Sequence, residues 1–287
     1  MVGVPFDGQS SYLRGAAEAP AKIRTAMNCD ASNYWTESGI DLGVDGAFED
    51  AGDLVLARNP DLEISSGDSH LSQNRREAVH PEFHGCPVFD EIVKGVGILV
   101  DRGKRAVSLG GDHSITYPIV KAFAKRYPDL TIFHFDAHPD LYHEFEGNRL
   151  SHACPFARIM EAGLAKRLVQ VGIRTINGHQ REQARRFGVE VVEMSSLPAY
   201  EKLKSDGPVY VTFDMDVLDP AFAPGISHRE SGGMSVREAI AHLHAIQGEI
   251  VGADLVEYNP VQDIAGVTAT VAAKILKELL GKMILGT

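Results

Sequence analysis

The chain has few cysteines and no two of them close enough to share a zinc ion. Cys29, Cys86 and Cys154 are all it has. An odd, sparse set makes a poor disulfide framework and fits a reducing compartment. The absence of a CxxC pair excludes a zinc knuckle. No apolar run reaches the ~20 residues of a membrane span. The opening MVGVPFDGQSSYLRG has neither the basic start nor the apolar block of a signal peptide. A cytoplasmic protein is therefore expected, with its first residues entering the fold at once as a strand. Positive charge is scarce too. The net charge of −11 excludes the basic face that nucleic acid requires. There is no internal repeat, low-complexity tract or linker. The 287 residues are expected to form one domain, 1–287, near the upper size for a single core.

What is present is an alternation of β-branched apolar runs with amphipathic helical ones. Helices are expected over 17–27, 91–102, 115–126, 152–162, 180–187, 236–246 and 267–280. Strands are expected at 2–5, RAVSL, LTIFHFDAH, LVQVGIR, VEVVEM, VYVTFD and IVGADLVEY. Residues 30–90 are polar and turn-rich, with one short strand expected near Leu54. Strands alternating with helices predict right-handed βαβ units and a mostly parallel sheet. Near-continuous apolar strands fit a sheet covered on both faces.

In such sheets the site lies beyond the carboxyl ends of the strands, and the unusual residues fall there. RAVSL runs into GGDHS, TIFHF into DAHPD, VYVTF into DMD, and LVEYNP closes the last strand. Asp136, His138 and Asp140 stand at i, i+2, i+4, and Asp214 and Asp216 repeat the spacing. Extended backbone would point each set to one side. His113 follows a Gly-Gly turn that allows close backbone approach. Two imidazoles and four carboxylates suit two divalent cations, and an oxygen-rich, thiolate-free set favours Mn²⁺ or Mg²⁺ over structural zinc. Four carboxylates would neutralise two such ions, and a water between them would be strongly acidified. The bland alternative is that each Asp is a turn residue or helix cap and each His a satisfied polar group. Acids this dense would repel one another without cations, which favours the metal reading.

These segments resemble the ureohydrolase family of arginases and agmatinases. GGDHS, FDAHPD, SHACPF, FDMDVLDPAFAPG and VEYNP occur in the family's order. EGNRLSHACPFARIME, QVGIRTIN and PAFAPGISHRESGG look like the plant-type arginase branch, as does the opening GVPFDGQSSYLRGAAEAP. The resemblance implies a three-layer α/β/α sandwich with a mostly parallel central sheet, and two Mn²⁺ per chain. His113, Asp136, Asp140 and Asp214 would hold one ion. Asp136, His138, Asp214 and Asp216 would hold the other. It further implies that Glu257 pairs with the substrate guanidinium and that His152 shuttles protons, with Asp140 counted beside them among the catalytic groups. A homotrimer or homohexamer acting on a small guanidino compound is expected.

The sequence departs from the family in two places. His228 stands where many members have a Gly-Thr pair, and can either touch substrate or pack in its loop. SHACPF carries Cys154 and Pro155 where the plant-type branch has Ser; Cys154 reads as a small buried residue. Asn148, Arg149 and Asn177 are candidates for the substrate's far end. L-arginine is the expected substrate, with agmatine and guanidinobutyrate as alternatives. A zinc deacetylase on a similar fold and a non-catalytic metal-binding scaffold are the competing classes. The ligand pair Asp140 and Asp216 speaks against the first, and the intact set of six against the second.

Overall fold

Every strand pairing in the central sheet is parallel. A computed structural model describes residues 1–57 and 86–286. Its strands are β1 (Val2–Gly3), β2 (Ala106–Leu109), β3 (Thr131–Phe135), β4 (Arg167–Ile173), β5 (Glu190–Glu193), β6 (Val209–Asp214) and β7 (Ile250–Val256). They lie in the order β1-β2-β7-β6-β3-β4-β5. The helices are α1 (Ala19–Met27), α2 (Pro87–Asp101), α3 (Thr116–Ala124), α4 (Pro155–Glu161), α5 (Gly178–Phe187), α6 (Val236–Ala245) and α7 (Val267–Leu285). Helices α1, α6 and α7 contribute Ile23, Leu243 and Leu276 to the core on one face. Helices α2 to α5 contribute Ile92, Ile119, Phe156 and Ala184 to the core on the other. This is the expected three-layer α/β/α sandwich. No helix among the described residues is long and apolar enough to cross a membrane.

Several boundaries differ from the sequence expectation, each for a local reason. Helix α2 starts at Pro87 rather than at residue 91, because proline suits the first helical position, where an N–H has no partner anyway. Helix α4 likewise starts at Pro155, which leaves His152 in the turn before the helix. Near Leu54 only a bridge forms, between Asp53 and Gly3. Of the turn-rich stretch 30–90, residues 58–85 lie outside the described residues.

Strand β3 stops at Phe135 and β6 at Asp214. Asp136–Asp140 is therefore not continued strand, and Asp214 leads directly into a 3-10 turn. The ligand sets converge through tight turns instead of by pleat alternation. Asp140 (φ 47°) and Glu257 (φ 62°) both adopt the left-handed region. Such backbone costs about 1–3 kcal/mol for a non-glycine residue and persists where the surroundings hold it.

One register row is polar right across the sheet. Ser108 pairs with Asp254, Asp254 with Thr212, Thr212 with His134, and His134 with Gln170. All five are fully buried. Buried polar groups are costly unless hydrogen-bonded; Thr212, His134 and Asp254 have side-chain partners, whereas Ser108 Oγ is left without one. The row lies two residues before Asp136, which follows the end of β3, and two before Asp214, the last residue of β6.

Candidate metal centre

The four neighbouring strands β2, β7, β6 and β3 bring the singled-out residues together at their carboxyl ends. Gly111 sits so close to the Phe6 carbonyl that a Cβ could not fit, which brings the Gly-Gly turn and His113 down onto the sheet. The Asp112 side chain accepts from Ser114 N at 3.0 Å and from Gln9 N at 2.8 Å. It thus caps the turn carrying His113 and ties the 7–11 loop to it.

His113 is the centre of the cluster. Its Nε2 lies 3.0 Å from the Thr212 hydroxyl. Its Nδ1 lies 3.1 Å from Asp136 Oδ2, 3.0 Å from Asp140 Oδ2 and 3.1 Å from Asp214 Oδ2. None of these contacts has the direction of a hydrogen bond, so this buried nitrogen is left without a partner. A nitrogen lone pair ringed by three anionic oxygens is a place that positive charge completes. Beside it, His138 Nδ1 lies 2.9 Å from Asp216 Oδ2 and 3.4 Å from Asp136 Oδ1. Asp136, His138 and Asp216 have donor atoms close enough to share one ion. The residues present therefore fit a divalent cation.

The electrostatics agree. Burial disfavours the charged forms of His113 and His138, but the surrounding carboxylates outweigh it and hold both rings well above the ordinary imidazole value. Burial, then Asp216 and Asp136, push the Asp214 carboxyl well above its usual range. Burial and Asp136 raise Asp216 to about 6. Asp136 goes the other way: burial would raise it, yet His134, His113 and His138 hold it well below the carboxylate range. The field calls for positive charge, which either protons or metal ions supply.

Glu257 stands next to this cluster. Its Oε1 accepts from the His113 backbone N–H at 2.9 Å and faces His152 Nδ1 at 3.2 Å. Burial opposes charge on both partners. The pairing prevails, lowering the Glu257 carboxyl and lifting His152 to about 9. The other ring nitrogen of His152 lies 2.8 Å from Ser11 Oγ. His228 stacks on His152 with ring centroids 5.0 Å apart. A cavity of about 230 Å³ opens over the cluster, lined by His138, Asp140, Asp214, Asp216, His152, His228 and Glu257 together with Ser11, Tyr142, Phe145, Ala153, Thr175 and Gln180.

Asn148 and Asn177 lie outside that lining. Asn148 donates to Gln9 Oε1 at 2.6 Å. Asn177 caps α5 and donates to the Tyr142 hydroxyl at 2.6 Å, so it reaches the cavity only through Tyr142. Arg149 pairs with Glu161 at 2.8 Å. Sequence reasoning did not single out Ser11, Tyr142, Thr175 and Gln180; the first three come from separate loops and Gln180 from the first turn of α5. It also missed Arg174, whose guanidinium donates to the backbone carbonyls of Asp216 at 2.7 Å and Glu230 at 2.6 Å. Arg174 thereby ties the Asp216 turn to the loop carrying His228. Its five fixed donors suit such a clamp, and the GIRTIN turn marked its place.

Comparison with known proteins supplies the context. A family model described as the arginase family matches residues 1–281. The mitochondrial arginase of Medicago truncatula is 45% identical over 99% of this chain and 81% of its own length. The agmatinase of Bacillus subtilis is 34% identical over 98% of this chain and 90% of its own. The solved arginase structure from Medicago truncatula superposes with a TM-score of 0.85, covering 98% of this chain and 86% of that one. The expectation of a cytoplasmic protein does not survive. The Medicago relative is named mitochondrial, and those of Arabidopsis thaliana mitochondrial or chloroplastic/mitochondrial. Those names are the relatives' own; the lack of a secretory signal peptide does not distinguish cytoplasm from organelle.

Proposed function

The chain belongs to the arginase family, and on that premise we propose that it is a manganese-dependent ureohydrolase cleaving L-arginine to ornithine and urea. The observation that carries this reading is the convergence of three carboxylate oxygens on His113 Nδ1, directly beside the Glu257–His152 pair. His113, Asp136, Asp140 and Asp214 would hold one Mn²⁺, and Asp136, His138, Asp214 and Asp216 the other. Bound there, the ions would supply a nucleophile at neutral pH and Lewis acidity toward the substrate.

The remaining work falls to the chain's own side chains. Glu257 is a buried carboxylate at the cavity wall, and a guanidinium fork matches a carboxylate well. Pairing there orients the reacting carbon toward the cluster. His152 reaches the same cavity with one nitrogen on Glu257 and the other on Ser11, so it is placed to carry a proton to the departing amine. Tyr142 and Phe145 line the same cavity.

A second reading, agmatine, is favoured by one observation. Among the described residues no lysine or arginine lines the cavity, so away from the acids and histidines of the cluster an α-carboxylate would be met by the uncharged Ser11, Tyr142, Thr175 and Gln180. Agmatine has no α-carboxylate to satisfy. The experiment is a urea assay on arginine, agmatine and guanidinobutyrate after Mn²⁺ loading. Arginine giving the highest kcat/KM supports the reading. Agmatine giving it assigns the second, and urea from none overturns both.

A single domain and a homotrimer or homohexamer belong to the same proposal. The sheet draws strands from Val2 to Val256, which supports one domain. Exposed Phe222, Val261, Ile264 and Val267 are apolar side chains an interface would cover. Sedimentation at equilibrium tests the assembly.

A further inference from the structure

His134 is fully buried, carries two titratable nitrogens and has no part in the scheme above. Its Nε2 lies 2.7 Å from Asp136 Oδ2. Its Nδ1 lies 3.0 Å from Gln170 Nε2, and the same amide nitrogen lies 2.5 Å from the Pro139 carbonyl oxygen. A carbonyl oxygen only accepts, so the Gln170 atom facing it must be the NH₂ group. Turned over, the amide would set two carbonyl oxygens against each other. Gln170 Oε1 is left without a partner in this orientation, a smaller cost than that clash. An NH₂ group only donates. Nδ1 of His134 is therefore an acceptor, and the ring proton must sit on Nε2, where it is donated to Asp136.

We propose that His134, locked in its Nε2–H tautomer by Gln170, is a positioning residue for the Asp136 carboxylate. Resting on the metal reading above, this assigns a role to a residue that is itself no ligand. His134, His113 and Asp136 have donor atoms close enough to share an ion, but both nitrogens of His134 are already engaged by protein. Asp136 is thus held at both oxygens: Oδ2 by the His134 ring and Oδ1 by the His138 backbone N–H at 2.6 Å. Its remaining lone pairs face His113 and His138. Stacking on Phe156, with ring centroids 3.9 Å apart, prevents the imidazole from swinging away. Partners that orient a metal ligand in this way are worth about 10- to 100-fold in metal affinity.

The test has two arms on the full chain. Ring ¹⁵N shifts of His134 are read before metal is added, in wild type and in Gln170→Met. The expected result is a protonated Nε2 and a bare Nδ1 in wild type, and mixed tautomers in the variant. A proton on Nδ1, or on both nitrogens, in wild type overturns the lock. Mn²⁺ affinity and stoichiometry are then titrated for wild type, His134→Phe and His134→Gln. His134→Phe keeps the stacking and should bind about 10- to 100-fold more weakly at unchanged stoichiometry. His134→Gln, whose amide places a donor near the old Nε2, should recover most of that loss. If His134→Phe does not fold, Gln170→Met should show the same weakening in smaller degree. Unchanged affinity in the variants against a binding wild type overturns the role of His134 alone. Loss of one whole ion in His134→Phe makes His134 a ligand and overturns it too. A wild type that takes up no divalent ion overturns the metal reading, and the positioning role with it.

Discussion

Nδ1 of His152 lies 3.2 Å from Oε1 of Glu257, and the pair stands against the ligand cluster without belonging to it. On the proposed function, that separation would let proton transfer be removed while the metals stay. His152→Ala should lower kcat by about 10²-fold or more, the usual contribution of a positioned acid or base. Metal content, measured on the same preparation, should be unchanged. Loss of metal in this variant would refute the assignment.

The same pair predicts a pH dependence of stability in the metal-free protein. His152 is lifted from 6.5 to about 9 in the fold. A raised folded value means that the stabilisation is fully present below about pH 6.5 and is lost as pH climbs through about 9. The Tm advantage of wild type over His152→Ala should therefore shrink between pH 6.5 and 9. A constant or growing advantage across that window would contradict the pairing.

Arg174 donates to the Asp216 and Glu230 carbonyls and lies 3.3 Å from that of Val217. A lysine ammonium lacks the planar five-donor fork that spans these carbonyls. Arg174→Lys should destabilise the fold by about 1–3 kcal/mol, the cost of leaving buried acceptors unmet. Thermal denaturation checks this, and an unchanged Tm would show that the clamp is dispensable.

Cys154 is buried while Cys29 is exposed. Burial, with Asp140 nearby, pushes the Cys154 thiol up to about 12. Thiolate is the reactive form. At pH 8 a maleimide should label Cys29 quickly and leave Cys154 untouched in the folded protein, as peptide mapping would show. Rapid labelling of Cys154 would mean an open, activated thiol.

How much of this was legible depends on where the signal lies. Strand ends and their cargo can be read because the βαβ rhythm and the motifs are local in sequence. Spacing grouped Asp136 with His138 and Asp140, and the structure brings them into one cluster, although the backbone there turns instead of running extended. The start of α4 was misplaced because His152 sits in an apolar-rich turn, and only Pro155 marks the true beginning. The register row was invisible: His134, Gln170, Thr212 and Asp254 meet only once four strands are aligned. Asn177 was read as a substrate contact, but asparagine with glutamine three residues on is a capping signal, and the capping box at Gln180 is where it goes. The cavity-lining hydroxyls of Ser11, Tyr142 and Thr175 come from three separate loops, and no periodicity connects them.

Metal content is the most direct test of the account. Wild type and Asp136→Asn should be loaded with Mn²⁺, desalted and analysed by elemental mass spectrometry against protein concentration. The account predicts about two manganese per chain in wild type, the number a paired-ion site holds. It predicts loss of both metal and urea release in the variant, since Asp136 would bridge. One zinc per chain in wild type, or an Asp136→Asn variant that retains both ions, would contradict it.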